Sequence, residues 1–571
     1  MLCIMFSLGK TKLPAVYLGL VFLRVCFALF ATGYIHPDEY FQNGEVTAGQ
    51  ILDLHTWLTW EWEPFYPCRS IVPVWVTTGV PFSILRFLPQ GGPPSPRAIF
   101  VAERLSFLCS SFLLDYVVYH LNYKSSRMFA LVLLGSSYVI HTYQVRPFSN
   151  SIESVLLAVS LLLLRKLLVA ESLRPHSKAG TGYLALLACA AVYGLFTRIT
   201  FAAFFLPIVF AILKWSLRQS RFSIASWTRL VAPSFLVAIT TVIGFVYADT
   251  TYFAHPQRIV DSILHPLRAV EVTPLNFLRY NLLPSNLAEH GLHPRWLHLV
   301  VNLPMIATPA LLFYVIWAEL DYTYPRTAEK SQEKDKAKLG VVEAMQKVLN
   351  WVRWSGTTLL SIQPHQEPRF LIPLVAPMVA LVVGNGRILR AGKLFWATWI
   401  VSNVVLAVLF GVLHQGGVVP SLFRVHDIVY DSATGLTAHD YRIVYWKTYM
   451  PPRHLLAVSQ SDHASKAVEV FDFSGASVDR VIQGLRRPAP TTKPLIILLV
   501  APFHSISDFR ESAQTCLTER DRAFPHLDLD HLSEAMEVGW KDGLSLGIFE
   551  VDQACLNGTA VSSYTMDHRL S

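Results

Sequence analysis

The sequence predicts a polytopic α-helical membrane protein with a small α/β region at its C-terminal end. Three observations carry that prediction. Of the 571 residues, 52% are hydrophobic and only 15% are charged, against about 25% charged in soluble domains. The apolar residues form long blocks instead of amphipathic stripes, the pattern of membrane-crossing helices. Basic residues gather in alternate loops between those blocks, as positive-inside topology requires. A soluble enzyme of ordinary composition, a disordered chain, collagen and a coiled coil are all excluded. The net charge of +8 and pI near 9.0 arise from basic residues scattered over short loops. They fit membrane topology better than a phosphate-tracking surface, so no nucleic-acid partner is expected.

The elements follow in order. Lys10 and Lys12 precede an apolar run from Leu13 to Tyr34, broken only by Arg24. No small-residue cleavage pattern follows, so this is a first span with a cytoplasmic N-terminus and not a signal peptide. Further spans are expected at Ile99–Tyr119, Met128–Tyr143, Ile152–Leu168, Tyr183–Thr197, Phe201–Leu213, Leu230–Ala248, Trp296–Ala318, Val341–Leu360, Phe370–Gly386 and Leu394–Leu413. That makes about eleven, several shorter than the roughly 20 residues a crossing needs. Glu343, Lys347 and Arg353 make Val341–Leu360 the least apolar. With it counted, the basic loops Lys124–Arg127, Arg165–Lys178, Lys214–Arg229, Asp321–Lys338 and Arg387–Lys393 fall on one side; without it the parity fails.

Three long segments fall on the opposite, lumenal side: Ile35–Ala98, Asp249–Arg295 and the tail after His414. The first is rich in Trp, Pro and Phe, as a membrane-hugging loop or re-entrant helix pair would be. Two domains are expected: 1–415, a transmembrane catalytic domain with its lumenal loop 35–98, and 416–571, a lumenal C-terminal domain. The run Pro494–Val500 is β-like, which makes the tail a small α/β region. Cys516 and Cys555 can pair if the tail is lumenal, and Asn557-Gly558-Thr559 is a glycosylation sequon usable only there. The seven cysteines show no C-x-x-C pair and no ligand spacing with histidine, so no metal site is expected. There is no internal repeat.

The sharpest chemical signal is His36-Pro37-Asp38-Glu39-Tyr40-Phe41-Gln42, directly after the first span. Pro37 suits the first position of a new helix, with His36 as its cap. Asp38 and Glu39 then lie in the first turn, where the helix dipole favours ionised carboxylates. Adjacent residues sit about 100° apart on a helix, so one carboxylate can serve as general base while the other orients a ligand. A capped juxtamembrane helix with ordinary N-terminal acids explains the spacing equally well. A second cluster, within Asn281–Pro304, holds His290, His293, Arg295 and His298; it matches no standard zinc motif and better suits hydroxyl and phosphate contacts. A third is His365-Gln366-Glu367-Pro368-Arg369-Phe370, where Arg369 taken alone reads as a snorkelling residue. Arg69, Arg146 and Arg198 fall on the same side as these clusters. The positive-inside rule does not explain arginines there. Gathered over a lumenal cavity, they suit an anionic lipid headgroup, since guanidinium binds phosphate in two-pronged fashion.

His36-Pro37-Asp38-Glu39 after the first span, with His365-Gln366-Glu367-Pro368-Arg369-Phe370 near the last, resembles the family-22 mannosyltransferases of GPI-anchor and N-glycan assembly. Gly33–Val46, Pro67-Cys68-Arg69-Ser70, Arg146–Glu153 and Asn286–Pro304 are most similar to the branch that adds a fourth, side-branch mannose to the GPI precursor. The third-mannose enzyme shares much of the pattern, the N-glycan mannosyltransferases are a further alternative that differs in acceptor, and the tail beyond His414 departs from the pattern in detail. The resemblance implies a GT-C fold in the endoplasmic-reticulum membrane and no tightly bound cofactor or metal. It implies dolichyl-phosphate mannose as donor, a GPI glycolipid precursor as acceptor, and inverting transfer to make an α1,2 linkage. Asp38 would be the base, with Glu39 orienting the acceptor or sharing that role. His36 would support their geometry, and Gln42 with the clusters around His290, His293, Arg295, His365, Gln366 and Glu367 would contact substrate. Arg369, with one of Arg69, Arg146, Arg198 or Arg295, would hold the departing phosphate. From other classes, a lipid transporter or flippase would use Arg24, Glu103, Arg104, Asp115 and Glu153 as a pathway. A non-catalytic scaffold subunit would tolerate loss of Asp38.

Overall fold

A computed structural model describes residues 13–88, 93–173, 178–254, 270–283, 286, 291–320, 333–431, 435–487 and 493–558. His290 and Thr559 lie outside the described residues. The long helices are α1 (Leu13–Phe30), α3 (Pro96–Leu121), α5 (Ser149–Leu173), α6 (Lys178–Thr197), α7 (Phe201–Gln219), α8 (Ile224–Tyr252), α9 (Leu303–Leu320), α10 (Glu333–Ile362), α11 (Val375–Asn385) and α12 (Lys393–Val408). Shorter ones are α2 (Gly44–Leu52), α4 (Arg127–Gly135) and α13 (Val418–Val429). Every expected span falls on helical structure. Among the described residues, seven helices are long and apolar enough to cross a bilayer: the chain is a multi-pass membrane protein.

The remaining spans differ for physical reasons. The Met128–Tyr143 stretch divides at Ser136–Ser137 into α4 and a single turn, Tyr138–His141. The nine residues of α4 rise only about 14 Å. The α3 and α5 helices carry ionisable residues that find partners: Glu153 of α5 lies 3.6 Å from Arg198 in the turn after α6, and α3 pairs with α1. Arg24 of α1 is fully buried and grips Asp115 of α3 with two hydrogen bonds of 2.9 and 3.1 Å. Tyr17 also donates to Asp115, at 2.7 Å. An isolated charge in hydrocarbon is costly, and pairing removes that cost. Arg24 and Asp115 therefore clamp two helices and do not line a path. The packed interior of the bundle joins α4, α5, α7, α9, α10, α11 and α12 through residues such as Leu133, Leu161, Phe204, Ile306, Val352, Val379 and Trp399.

The chain leaves α1 at a backbone-to-backbone contact. Gly33 N–H donates to the Gly411 carbonyl at 2.9 Å, and Tyr34 N–H to His414 at 2.8 Å. A Cβ on Gly33 would stand 2.6 Å from the Gly411 carbonyl carbon, so only glycine permits this approach. The segment that follows contains His36–Gln42 and α2.

The tail carries a five-stranded sheet, β1 (Asp440–Trp446), β2 (Val468–Phe473), β3 (Leu495–Pro502), β4 (Leu517–Ala523) and β5 (Leu546–Val551), in the order β2-β1-β3-β5-β4. The β2-β1-β3 pairings are parallel and β3-β5-β4 antiparallel. Successive strand residues point to opposite faces. Tyr441, Ile443, Tyr445, Leu498 and Val500 pack on one side with Tyr34, Tyr40, Phe41 and α13. Val444, Trp446, Ile497, Leu499 and Ala501 pack on the other. Both faces are thus covered, which is why β3 reads as a continuous apolar run and not as an alternation. Cys516 and Cys555 form a disulfide, 39 residues apart, and Asn557 is exposed close by.

Candidate active site

The site is built where helix ends meet the segment after α1. His36–Gln42 forms one short helix, Asp38–Phe41, with both acids in its first turn. The His36 ring accepts the Asp38 N–H at 3.2 Å, a cap in all but name. The turn sends the two carboxylates in different directions. Asp38 keeps 24% of its side chain exposed, whereas Glu39 is fully enclosed.

Asp38 is the open end of a continuous polar network. Its Oδ2 lies 2.5 Å from Arg369 Nη1 and accepts from Gln42 Nε2. Its Oδ1 lies 3.3 Å from His36 Nδ1. Arg369 also donates to Glu367 through Nε and, at 2.8 Å, through Nη2. Glu367 in turn meets His365 at 2.7 Å and His36 at 3.7 Å. On the other flank, Gln42 donates to Glu61 at 3.1 Å and accepts from Ser149 at 2.8 Å. Glu61 takes two hydrogen bonds from Arg69, of 2.9 and 2.7 Å. Burial alone would push the Asp38 carboxyl up, but Arg369 foremost, then His36 and Arg69, holds it well below the usual carboxylate range. Burial likewise opposes the Glu367 charge, and Arg369, followed by His36, overcomes it. Both carboxylates are therefore ionised at neutral pH.

The arginines divide by what they still have to offer. Arg146 is mostly engaged: fully buried, its two terminal nitrogens bind both Glu39 oxygens, at 3.2 and 3.0 Å, and the Gly33 and Gly411 carbonyls, leaving Nε without a hydrogen-bond partner. Arg69 is bound to Glu61. Arg198 is different. Its Nε is 3.6 Å from Glu153 and donates to Thr200 at 3.2 Å, while its Nη1 is buried without a hydrogen-bond partner. Its guanidinium lies 5.1 Å from the centre of the Phe370 ring and that of Arg369 lies 5.5 Å from it. Burial, then repulsion from Arg69, lowers Arg198 to about 10. Crowded cations with an unused buried donor make a receptor for an anion.

The other expected contacts fall into two groups. Gln366 is a loop staple: its amide donates to the carbonyls of Arg295, Ser361 and Gln363, and its oxygen accepts the His298 N–H at 2.7 Å. His293 Nδ1 accepts the Gln366 N–H at 3.3 Å, beside the His365 ring. Arg295 is exposed, next to Thr358 and Ser361. Sequence reasoning missed Glu61, which sits in a single 3-10 turn, Trp60–Trp62, too short for any periodicity to mark it. It also gave Arg104 only a pathway role. Arg104 is fully buried and holds Glu39 at 2.6 Å and the Tyr40 hydroxyl at 3.1 Å. Among the described residues, no group of three His, Cys, Asp or Glu side chains could hold a metal ion.

The network thus sets a carboxylate held ionised yet open to solvent beside arginines with capacity for an anion, at the ends of membrane helices, an arrangement compatible with a membrane-embedded glycosyltransferase. The chain belongs to the Alg9-like mannosyltransferase family, whose model matches residues 15–457. Among curated proteins it is similar to a GPI mannosyltransferase 4 of Emericella nidulans, with 35% identity over 83% of this chain and 82% of that one. It is also similar to GPI alpha-1,2-mannosyltransferase 4 of Homo sapiens, with 33% identity over 95% of this chain and 94% of that one. Among solved structures it is similar to ArnT from Cupriavidus metallidurans in the apo state, with a TM-score of 0.48, 10% identity, and coverage of 96% of this chain and 99% of that one.

Proposed function

We propose that this protein is an inverting α-1,2-mannosyltransferase that moves mannose from dolichyl-phosphate mannose to the third mannose of a GPI precursor, adding the fourth, side-branch residue. The relatives' names support the acceptor. The observation that carries the chemistry is Asp38, the open carboxylate of the network, held ionised beside Arg369. In the reaction the acceptor 2-hydroxyl attacks the anomeric carbon from the face opposite the phosphate. Asp38 takes the hydroxyl proton as the new C–O bond forms. The bond between the anomeric carbon and the phosphate oxygen breaks, and dolichyl phosphate leaves as the anion. Because phosphate is already a good leaving group, no strong acid is required. Arg198 and Arg369 stabilise the charge that develops on it. Glu39, sealed between Arg104 and Arg146, positions Asp38 from behind and touches no substrate. His36 and Gln42 orient the Asp38 carboxylate, and Arg69 and Glu61 anchor Gln42. His293, Arg295 and His365 border the site and would meet the acceptor or donor headgroup.

The site and the tail, residues 416–571, lie in the lumen of the endoplasmic reticulum, with the N-terminus cytoplasmic. The basic loops on the other side and the Cys516–Cys555 disulfide support that orientation. The test uses purified protein in lipid nanodiscs with dolichyl-phosphate mannose and GPI glycolipids bearing two, three or four mannoses. A new α1,2-linked mannose on the three-mannose lipid alone is expected. Extension of the two-mannose lipid instead would make it the third-mannose enzyme, and transfer to no lipid would end the enzyme reading.

A further inference from the structure

Behind the candidate site lies a second polar cluster that the proposed chemistry does not use. His454, from the tail, is fully enclosed between Glu45 of α2 and Glu103 of α3. Its Nδ1 is 2.5 Å from Glu45 Oε2 and its Nε2 is 3.1 Å from Glu103 Oε2. Its backbone N–H also donates to Glu45 Oε2 at 3.1 Å, and the other Glu45 oxygen accepts from Trp57 N–H at 2.7 Å. The Tyr40 and Phe82 rings flank the imidazole at 6.0 and 6.4 Å. A neutral imidazole carries one N–H and can donate to one carboxylate only; donating to two ionised carboxylates at once takes the cation.

The charges require the same thing. Glu39, Glu45 and Glu103 bring three negative charges into this solvent-free region, and Arg104 and Arg146 bring two positive ones; all are fully buried. His454 as imidazolium closes the balance, and an unpaired buried charge is expensive. The neighbouring Arg453 lies over Trp57 and against His55, outside this enclosed group, although the Glu45 charge acts on it too. Burial opposes the His454 charge, but Glu103 first and then Glu45 raise it to about 9. The fit leaves no spare room: a Cβ on Gly44 would stand 2.2 Å from Glu103 and 2.7 Å from His454.

We propose that His454 is a positioning residue for mannosyl transfer, a cationic pin by which the tail sets the segment from Asp38 to Glu45. It acts at both ends of that segment. Through Glu45 it fixes the first turn of α2, just after Gln42. Through Glu103 it fixes the α3 turn from which Arg104 holds Glu39 and Tyr40, the residues that follow Asp38. Displacing reacting groups by about 1 Å costs on the order of 10²-fold in rate.

Because this rests on the proposed function, the test pairs a kinetic readout with one that needs no substrate. His454→Gln keeps the size and removes the charge. His454→Gln with Glu103→Gln removes one negative charge as well and restores neutrality. The single variant is expected to lose about 10²-fold in kcat with the KM for dolichyl-phosphate mannose unchanged, and to exchange backbone hydrogens faster over residues 38–45. The double variant should recover most of both. If His454→Gln does not fold, Glu45→Gln, which loosens the α2 end alone, should show the same loss of kcat at unchanged KM. Wild-type kcat and exchange in a folded His454→Gln or Glu45→Gln variant would overturn the pin. So would a double variant no better than the single. If the unmodified protein moves no mannose, the functional reading fails, and the exchange of residues 38–45 still decides whether His454 holds that segment.

Discussion

Replacing Arg369 with glutamine separates three consequences of one side chain. The guanidinium donates twice to Glu367 and lies 2.5 Å from Asp38 Oδ2, with only 6% of its side chain exposed. Breaking an enclosed ion pair by removing one partner costs about 3–5 kcal/mol of stability, so Arg369→Gln should unfold at a visibly lower temperature in detergent. Losing a donor aimed at developing charge costs about 2.7–4 kcal/mol in the transition state, or 10²–10³ in kcat. The pH profile should move as well. Arg369 is the chief influence holding the Asp38 carboxyl down against burial; without it the carboxyl rises, and the acid limb of the rate profile moves to higher pH, since the base must be ionised. Arg369→Lys keeps the charge and should leave the acid limb near its place, but one ammonium cannot span both carboxylates, so kcat should still fall by about tenfold or more. The assay is the initial rate of mannosyl transfer against pH at saturating donor. An Arg369→Gln enzyme within about threefold of wild-type kcat, a difference under 1 kcal/mol, with an unmoved acid limb, would refute the reasoning.

Other substitutions probe the supports. Glu39→Gln leaves Arg104 and Arg146 enclosed without their shared carboxylate and should cost about 3–5 kcal/mol of stability, read by thermal unfolding. Any Glu39→Gln protein that folds should keep the acid limb of the pH profile if, as proposed, Asp38 and not Glu39 is the base. Gly33→Ala places a methyl 2.6 Å from the Gly411 backbone; overpacking of this kind costs about 1–3 kcal/mol, and the same unfolding assay measures it. Cys516→Ser removes the bond to Cys555. It should destabilise the tail by about 2–4 kcal/mol, seen as faster proteolysis after β4 with the helical bundle still intact.

The helical bundle was legible because apolar blocks and basic loops report the bilayer directly, and Pro494–Val500 revealed β3 because that strand is buried on both faces. The α4 break was not legible: Ser136 and Ser137 are too mild as helix breakers to divide an apolar run on paper. At the site, Asp38, His36, Gln42, Glu367 and Arg369 are brought together as their motifs suggest. What the motifs could not supply was direction. Asp38 and Glu39 are neighbours of equal chemistry, and only the turn of the helix exposes one and encloses the other. Arg146 and Arg198 looked alike in sequence; packing binds both terminal nitrogens of the first, to Glu39 and to backbone carbonyls, and leaves the second with an unpartnered terminal one. Glu61 and His454 act across 19 residues to Gln42 and across 409 to Glu45, and no local pattern in one sequence announces such pairs.

The most direct measurement uses microsomes from cells lacking fourth-mannose activity, supplied with radiolabelled dolichyl-phosphate mannose and given wild-type protein or Asp38→Asn at equal expression. Wild type should convert a three-mannose GPI lipid to a four-mannose lipid. Asp38→Asn, which keeps the shape and the Gln42 contact but cannot accept a proton, should lose at least about 10²-fold. Equal conversion by both proteins would contradict the assignment of Asp38 as the base.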